Sequence, residues 1–161
     1  EGGKSEGNGL VMAAGQQHFD FDLNQYHRVG SNVSDVLFHV ALADKARSNF
    51  SGNVLCAPGS QKIDGYQQNR NLLLSDTARA DSMPKLEIEA NDVACTHGAT
   101  FTTYDEGQYF YCRSRGLSEA EAKRLLVRGF FQEVVNRVEQ PVIVDYLMDL
   151  VAEKMDHVLG K

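Results

Sequence analysis

The reading of one stretch decides the fold: PKLEIEANDVACTHGAT, Pro84 to Thr100. In KLEIEA, Leu86 and Ile88 face one way and Glu87 and Glu89 the other, the two-residue period of a strand with one wet face. A charged turn follows, and DVACTH forms the next apolar burst. In an extended chain residues i and i+2 share a side, so Cys95 and His97 project together. A thiol and an imidazole side by side can ligate a metal, attack a substrate or fill a core.

Working outward, short apolar bursts run from Gly9 to about Cys112: LVMAA, HFDFDL, VLFHVAL, NVLCA, NLLL, KLEIEA, DVACTH and QYFYC. Gly, Asn, Asp and Ser separate them, and the bursts recur too closely for intervening helices, which excludes βαβ units. No ladder of Asn-Gly or Asp-Gly dipeptides typical of tight hairpins runs through the chain, although Asp64-Gly65 is of that type. A sandwich, a barrel and a β-helix all remain open, and a loose spacing of about 20 residues favours stacked β-helical coils. A second regime begins at GLSEAEAKRLLVRGFFQEVVNRVEQP. Ser118 and Glu121 form a capping box, and Ala122, Leu125, Leu126, Phe130, Val134 and Val138 make one apolar stripe. Pro141 stops that helix. A second amphipathic helix is expected over roughly 142–158, with Ile143, Tyr146, Leu147, Leu150 and Val151 on its apolar side. Residues 1–114 are therefore assigned to a β domain and 115–161 to a helical end that must dock on the sheet or on a partner.

Composition narrows the function classes. The chain has 161 residues, 42% hydrophobic and 24% charged, enough for one ordinary domain with a core. A net charge of −6 argues against affinity for a nucleic-acid backbone or an anionic membrane surface. No apolar run approaches a spanning helix and no signal peptide is read. The opening EGGKSEGNG, without an initiator Met, reads as a fragment or a processed form. Three cysteines, Cys56, Cys95 and Cys112, show no zinc-finger spacing and no disulfide framework, which suits a reducing compartment.

Each chemistry-bearing residue has a bland counterpart. His18, Asp20 and Asp22 share one strand face, but three ligands along one strand reach too far to close on an ion, so a solvated face is expected. His27 belongs to a turn-like segment and His39 to an apolar burst, both structural. Cys56 and Cys112 keep apolar company and read as buried thiols. Asn69 and Asn71 suit solenoid corners, where side-chain amides satisfy turn backbone groups. No phosphate loop, G-x-S-x-G or H-E-x-x-H is present. Cys95 and His97 remain: filling a core is one reading, and metal ligation completed from elsewhere fits better than nucleophilic catalysis.

The run APGSQKIDGYQQNRNLLLSDTARADSMPKLEIEANDVACTHGAT, followed by YFYCRSRGLSEAEAKRLLVRGFFQEVVNRV, resembles the C-terminal part of the SufB/SufD scaffold family of iron–sulfur cluster assembly. The resemblance runs from about Ala57 to Val138, with its elements in the family's order, and CTHGAT is similar to the SufD branch rather than the SufB branch. It implies a mainly β fold, a right-handed parallel β-helix followed by a small C-terminal α-helical domain. It also implies a scaffold that is not itself an enzyme, in the bacterial cytoplasm or the plastid stroma. The implied partners are a SufB-like protein, side by side, and a SufC-like ABC ATPase, which hydrolyses ATP and docks on the helical end through the helix of Leu125, Leu126, Phe130 and Phe131. A transient iron–sulfur cluster at the SufB interface is the implied cargo. His97 would act there as a shared ligand, with Cys95 as its neighbour.

Overall fold

The computed structural model describes residues 1–159. Seven strands come first: β1 (Lys4–Ala13), β2 (His18–His27), β3 (Val33–Leu42), β4 (Arg47–Cys56), β5 (Ile63–Leu73), β6 (Arg79–Ile88) and β7 (Val93–Thr102). Three helices follow: α1 (Glu106–Ser114), α2 (Glu119–Val135) and α3 (Pro141–Leu159). Odd strands form one sheet in the order β1-β3-β5-β7 and even strands a second in the order β2-β4-β6. Every pairing is parallel. The chain thus runs along one sheet, turns, returns along the other and climbs one step, which is a two-sheet parallel β-helix.

Lys4 pairs with Val33, Val33 with Asp64 and Ile63 with Val93, so a coil takes about 30 residues rather than about 20. The longer repeat follows from two strands per coil, joined by corners. At one such corner Gly15 and Asp44 both take positive φ, and the Asp44 carboxylate accepts from the Gly15 amide at 2.8 Å. Asp64-Gly65 lies inside β5 and makes no hairpin.

Alternation decides what each face buries. In β4 and β5 every second residue is buried, including Phe50, Val54 and Cys56 on one strand and Ile63, Gln67, Asn69 and Asn71 on the other. These point between the sheets. Toward the start of the even strands the interior is apolar: Ala13, Val40 and Leu42 pack with Ala46 and Ala78. A row of rings, Phe21, Phe38 and Phe50, continues it at centroid separations of 5.5 and 5.3 Å. One coil up, on β5, the interior beside Phe38 and Val40 turns polar. Asn69 and Asn71 sit there, in mid-strand and inward, where Asn71 donates to Asn69 at 2.7 Å, not at corners. His27 likewise ends β2 and is buried, not in a turn.

The outer face of the odd-strand sheet is covered by α2 and α3. Ala41, Leu72, Val127, Phe131, Val151 and Met155 form this second core, with Leu10 and Met12 at its margin. β3 is therefore apolar on both faces, which is why VLFHVAL reads as a continuous run rather than an alternating one. The ion pairs Arg70–Glu133 at 2.6 Å and Arg137–Asp35 at 2.9 Å flank the seam.

The helical region starts earlier than the sequence indicates. QYFYC is helix α1, not a strand; Asp105 caps it by accepting from the Gln108 amide at 2.7 Å. The capping box at Ser118 and Glu121 forms as expected. The stripe of α2 is rotated by about one residue, with Ala122, Val127, Phe131, Val134 and Val135 buried while Leu125 is 51% exposed. In α3, Val151 and Met155 face inward, whereas Ile143, Tyr146 and Leu150 face solvent.

Candidate functional site

β7 is where Cys95 and His97 converge, and its setting is unlike that of the strands beneath it. It stacks on β5 only, and among the described residues no strand pairs with its other edge or with the free edge of β6. The coil stops half a turn short, and the chain leaves through Thr103 into α1. Pro84 fits this arrangement, since a proline is tolerated on an edge strand. Leu86 and Ile88, which alternate with Glu87 as the sequence predicts, remain exposed, since among the described residues no strand stacks beyond β6.

Register assigns the two side chains. Cys95 pairs with Gly65 and His97 with Gln67, both inward-pointing positions of β5. Cys95 and His97 thus share the inner face of β7, as their spacing requires. Cys95 is half-buried and His97 is exposed at the unfinished end.

The thiol reaches into the interior. Its Sγ lies 3.6 Å from the Sγ of Cys56 on the opposite sheet, and both are free thiols. Val54, Cys56 and Ile63 form the local core, with Ala90, Val93 and Cys95 against it. Gly65 leaves the room: a Cβ there would sit 3.1 Å from the Cys95 sulfur, 3.2 Å from Val54 and 3.7 Å from the His27 ring. His27 in turn shares a 2.9 Å hydrogen bond with the Ser34 hydroxyl. Burial, reinforced by the neighbouring Cys95 thiol, pushes Cys56 up to about 12, so it stays protonated at neutral pH. Burial also lowers the pKa of His27, which favours the neutral imidazole.

Beside His97 in the ladder lies Gln67, fully buried and with neither carboxamide atom hydrogen-bonded. Among the described residues no group of three or more His, Cys, Asp or Glu side chains could hold a metal ion. The donors that this strand offers are one half-covered thiol and one open imidazole, fewer than the four ligands of an iron–sulfur cluster.

The other sequence candidates are not brought to this end. His18, Asp20 and Asp22 lie on the outer face of β2, exposed in alternation with Phe19, Phe21 and Leu23, which is the solvated face expected. His39 is buried on the outer face of β3 under α2, its Nδ1–H donating to the Phe130 carbonyl at 2.7 Å and its ring stacked on Phe130 at 4.4 Å. Cys112 is buried in α1. Of the four helix residues, Phe131 is 1% exposed and Phe130 packs on the same core, so both hold the helix to the sheet, while Leu125 points outward. Two features escaped sequence reasoning. The approach of Cys56 to Cys95 depends on the coil period, which brings positions 39 apart face to face. The outward apolar face of α3 depends on which arc the sheet covers.

Residues 1–130 match the family described as SUF system FeS cluster assembly, SufBD core domain. A SufBD family protein of iron–sulfur cluster assembly from Mycobacterium leprae is 36% identical over 96% of this chain and 41% of its own length. The SufD proteins of Escherichia coli and Bacillus subtilis are 31% and 32% identical over 92% and 91% of this chain, and 35% and 33% of theirs. The chain spans about two fifths of the length of the curated relatives it matches, or less.

Proposed function

The chain belongs to the SufBD core family of the SUF iron–sulfur cluster assembly system, and from that premise we propose that it is a non-catalytic scaffold subunit whose unfinished coil end is half of a shared assembly site. The carrying observation is the exposed imidazole of His97 on the inner face of a strand with an open edge. Free backbone groups along such an edge are a template for pairing with another chain, and a SufB-like protein is the proposed occupant. It would bring the further thiolate and carboxylate ligands that β7 does not itself present, and the cluster would be transient cargo built between the two. ATP hydrolysis would come from a SufC-like ABC ATPase docked on the helical end. Its seat would be the outward face of α3 with Leu125, since Phe130 and Phe131 are committed to the intramolecular core. Cytoplasm or plastid stroma is the proposed setting; among the described residues no helix is long and apolar enough to cross a membrane.

A second reading, that CTHGAT only packs, is favoured for Cys95 by the contact of its sulfur with Cys56. The imidazole, not the thiol, therefore carries the test. Anaerobic iron and sulfide loading of the complex with SufB-like and SufC-like partners is compared for the native protein and His97→Ala. The expected result is a loss of most of the cluster with the complex still assembled. Unchanged loading in an intact complex would make the strand a packing element.

A further inference from the structure

We propose that Cys56 and Cys95 are a two-cysteine oxidation site, a dithiol that closes reversibly to a disulfide and staples the last strand to the opposite sheet. The inference stands on geometry and is independent of the assembly role proposed above. The two sulfurs already face each other at 3.6 Å across the interior, and Gly65 keeps the space around Cys95 open. Among the described residues no cluster of three or more His, Cys, Asp or Glu side chains that could hold a metal competes for them. Their exposures divide the labour: Cys56 is sealed, whereas Cys95 is half-buried at the open end of the coil and can meet a small oxidant. The remaining thiol, Cys112, is buried in α1 and serves as an internal control.

The co-reactant is a two-electron oxidant of the hydroperoxide class. Cys95 gives up its proton and its sulfur attacks one peroxide oxygen; the O–O bond breaks, the sulfur becomes a sulfenic acid, and the other oxygen leaves as hydroxide, which takes up the Cys95 proton to become water. The Cys56 sulfur then attacks the sulfenic sulfur, forming the S–S bond and expelling the hydroxyl, which leaves as a second water with the proton given up by Cys56. Two thiols and one peroxide yield one disulfide and two waters. An external dithiol reverses the step by exchange.

β7 is the strand with most to gain. It lies on one neighbour only and its register partners end at β5. A bond to β4 closes a loop of 39 residues in sequence separation and ties it into the body of the coil. Such a constraint acts largely on the unfolded chain.

The test is peptide mapping and calorimetry of the purified protein before and after hydrogen peroxide, using a protease that cuts after Glu106 so that Cys95 and Cys112 part. The expected result is one intramolecular Cys56–Cys95 link, Cys112 unmodified, and a rise in Tm of roughly 5–10 °C that dithiothreitol reverses. Cys95→Ser, at the half-buried position, should abolish both the link and the rise; Cys56→Ala, with its fold checked by circular dichroism, should abolish the link as well. Sulfinic acid accumulating on Cys95, cross-linking of two molecules through Cys95, or two surviving thiols under the same treatment would each overturn the proposal.

Discussion

At Gly52 an added Cβ would fall on the Gln67 carboxamide and come within 2.8 Å of the Phe50 ring. The carboxamide is fully buried, so it can yield only by displacing the packed interior around it. Overpacking of this kind costs about 1–3 kcal/mol, so Gly52→Ala should lower stability in urea denaturation by that amount. Adding Gln67→Ala should return part of the loss, and strict additivity of the two would show that the contact does not exist. His39 supplies a pH-dependent counterpart. Its Nδ1–H is spent on the Phe130 carbonyl, and its Nε2 is buried without a partner. Burial lowers its pKa, an effect that the Phe130 carbonyl only offsets in part. The unfolded imidazole titrates near the ordinary 6.5 and the folded one below it. Between those values the unfolded state binds more protons, so the contribution of His39 is complete above pH 6.5 and is lost as pH falls below it. The slope that one histidine can add is at most about 1.4 kcal/mol per pH unit. Urea midpoints at pH 7 and 5 should differ less for His39→Gln than for the native protein, and an unchanged difference would contradict this account.

The helices show how a correct element can be read with the wrong face. α2 carries apolar residues over a wide arc, from Leu125 and Leu126 through Val127 to Phe130 and Phe131. Periodicity establishes that one arc is buried but not which, since neighbouring choices differ by about 100° per residue. The sheet decides: Val127 and Phe131 meet Ala41 and Leu72. The same selection in α3 buries Val151 and Met155 and leaves Tyr146 62% exposed beside Ile143 and Leu150. On the proposed docking of the ATPase, replacing Ile143, Tyr146 and Leu150 with Ser should weaken its binding by tenfold or more, because apolar anchors dominate such interfaces, with an order of 1.4 kcal/mol per decade. The fold should barely respond. Phe131→Ala should do the reverse, destabilising the chain by about 3–5 kcal/mol. A titration of the two variants by calorimetry separates the roles, and equal ATPase binding by the triple variant would remove α3 from the interface.

At the scale of the whole molecule the coil repeat governs everything else. Alternation in KLEIEA and DVACTH made the strands legible, the capping box made α2 legible, and the resemblance to the scaffold family made the parallel β-helix legible, because each signal is local or is carried by ordered motifs. The side of β7 shared by Cys95 and His97 was legible too, from the two-residue period alone. QYFYC carries the strand preferences of Tyr109, Phe110 and Tyr111, yet it lies in a helix that Asp105 caps. By itself, then, the sequence determined the strands, the helical end and the family. Tertiary structure alone decided that Asn69 and Asn71 lie in the interior, that Cys56 meets Cys95, and that His97 is left open at an unfinished turn. Those facts depend on which residues fall one coil of about 30 positions apart, and stacking register is a long-range property that no local pattern encodes.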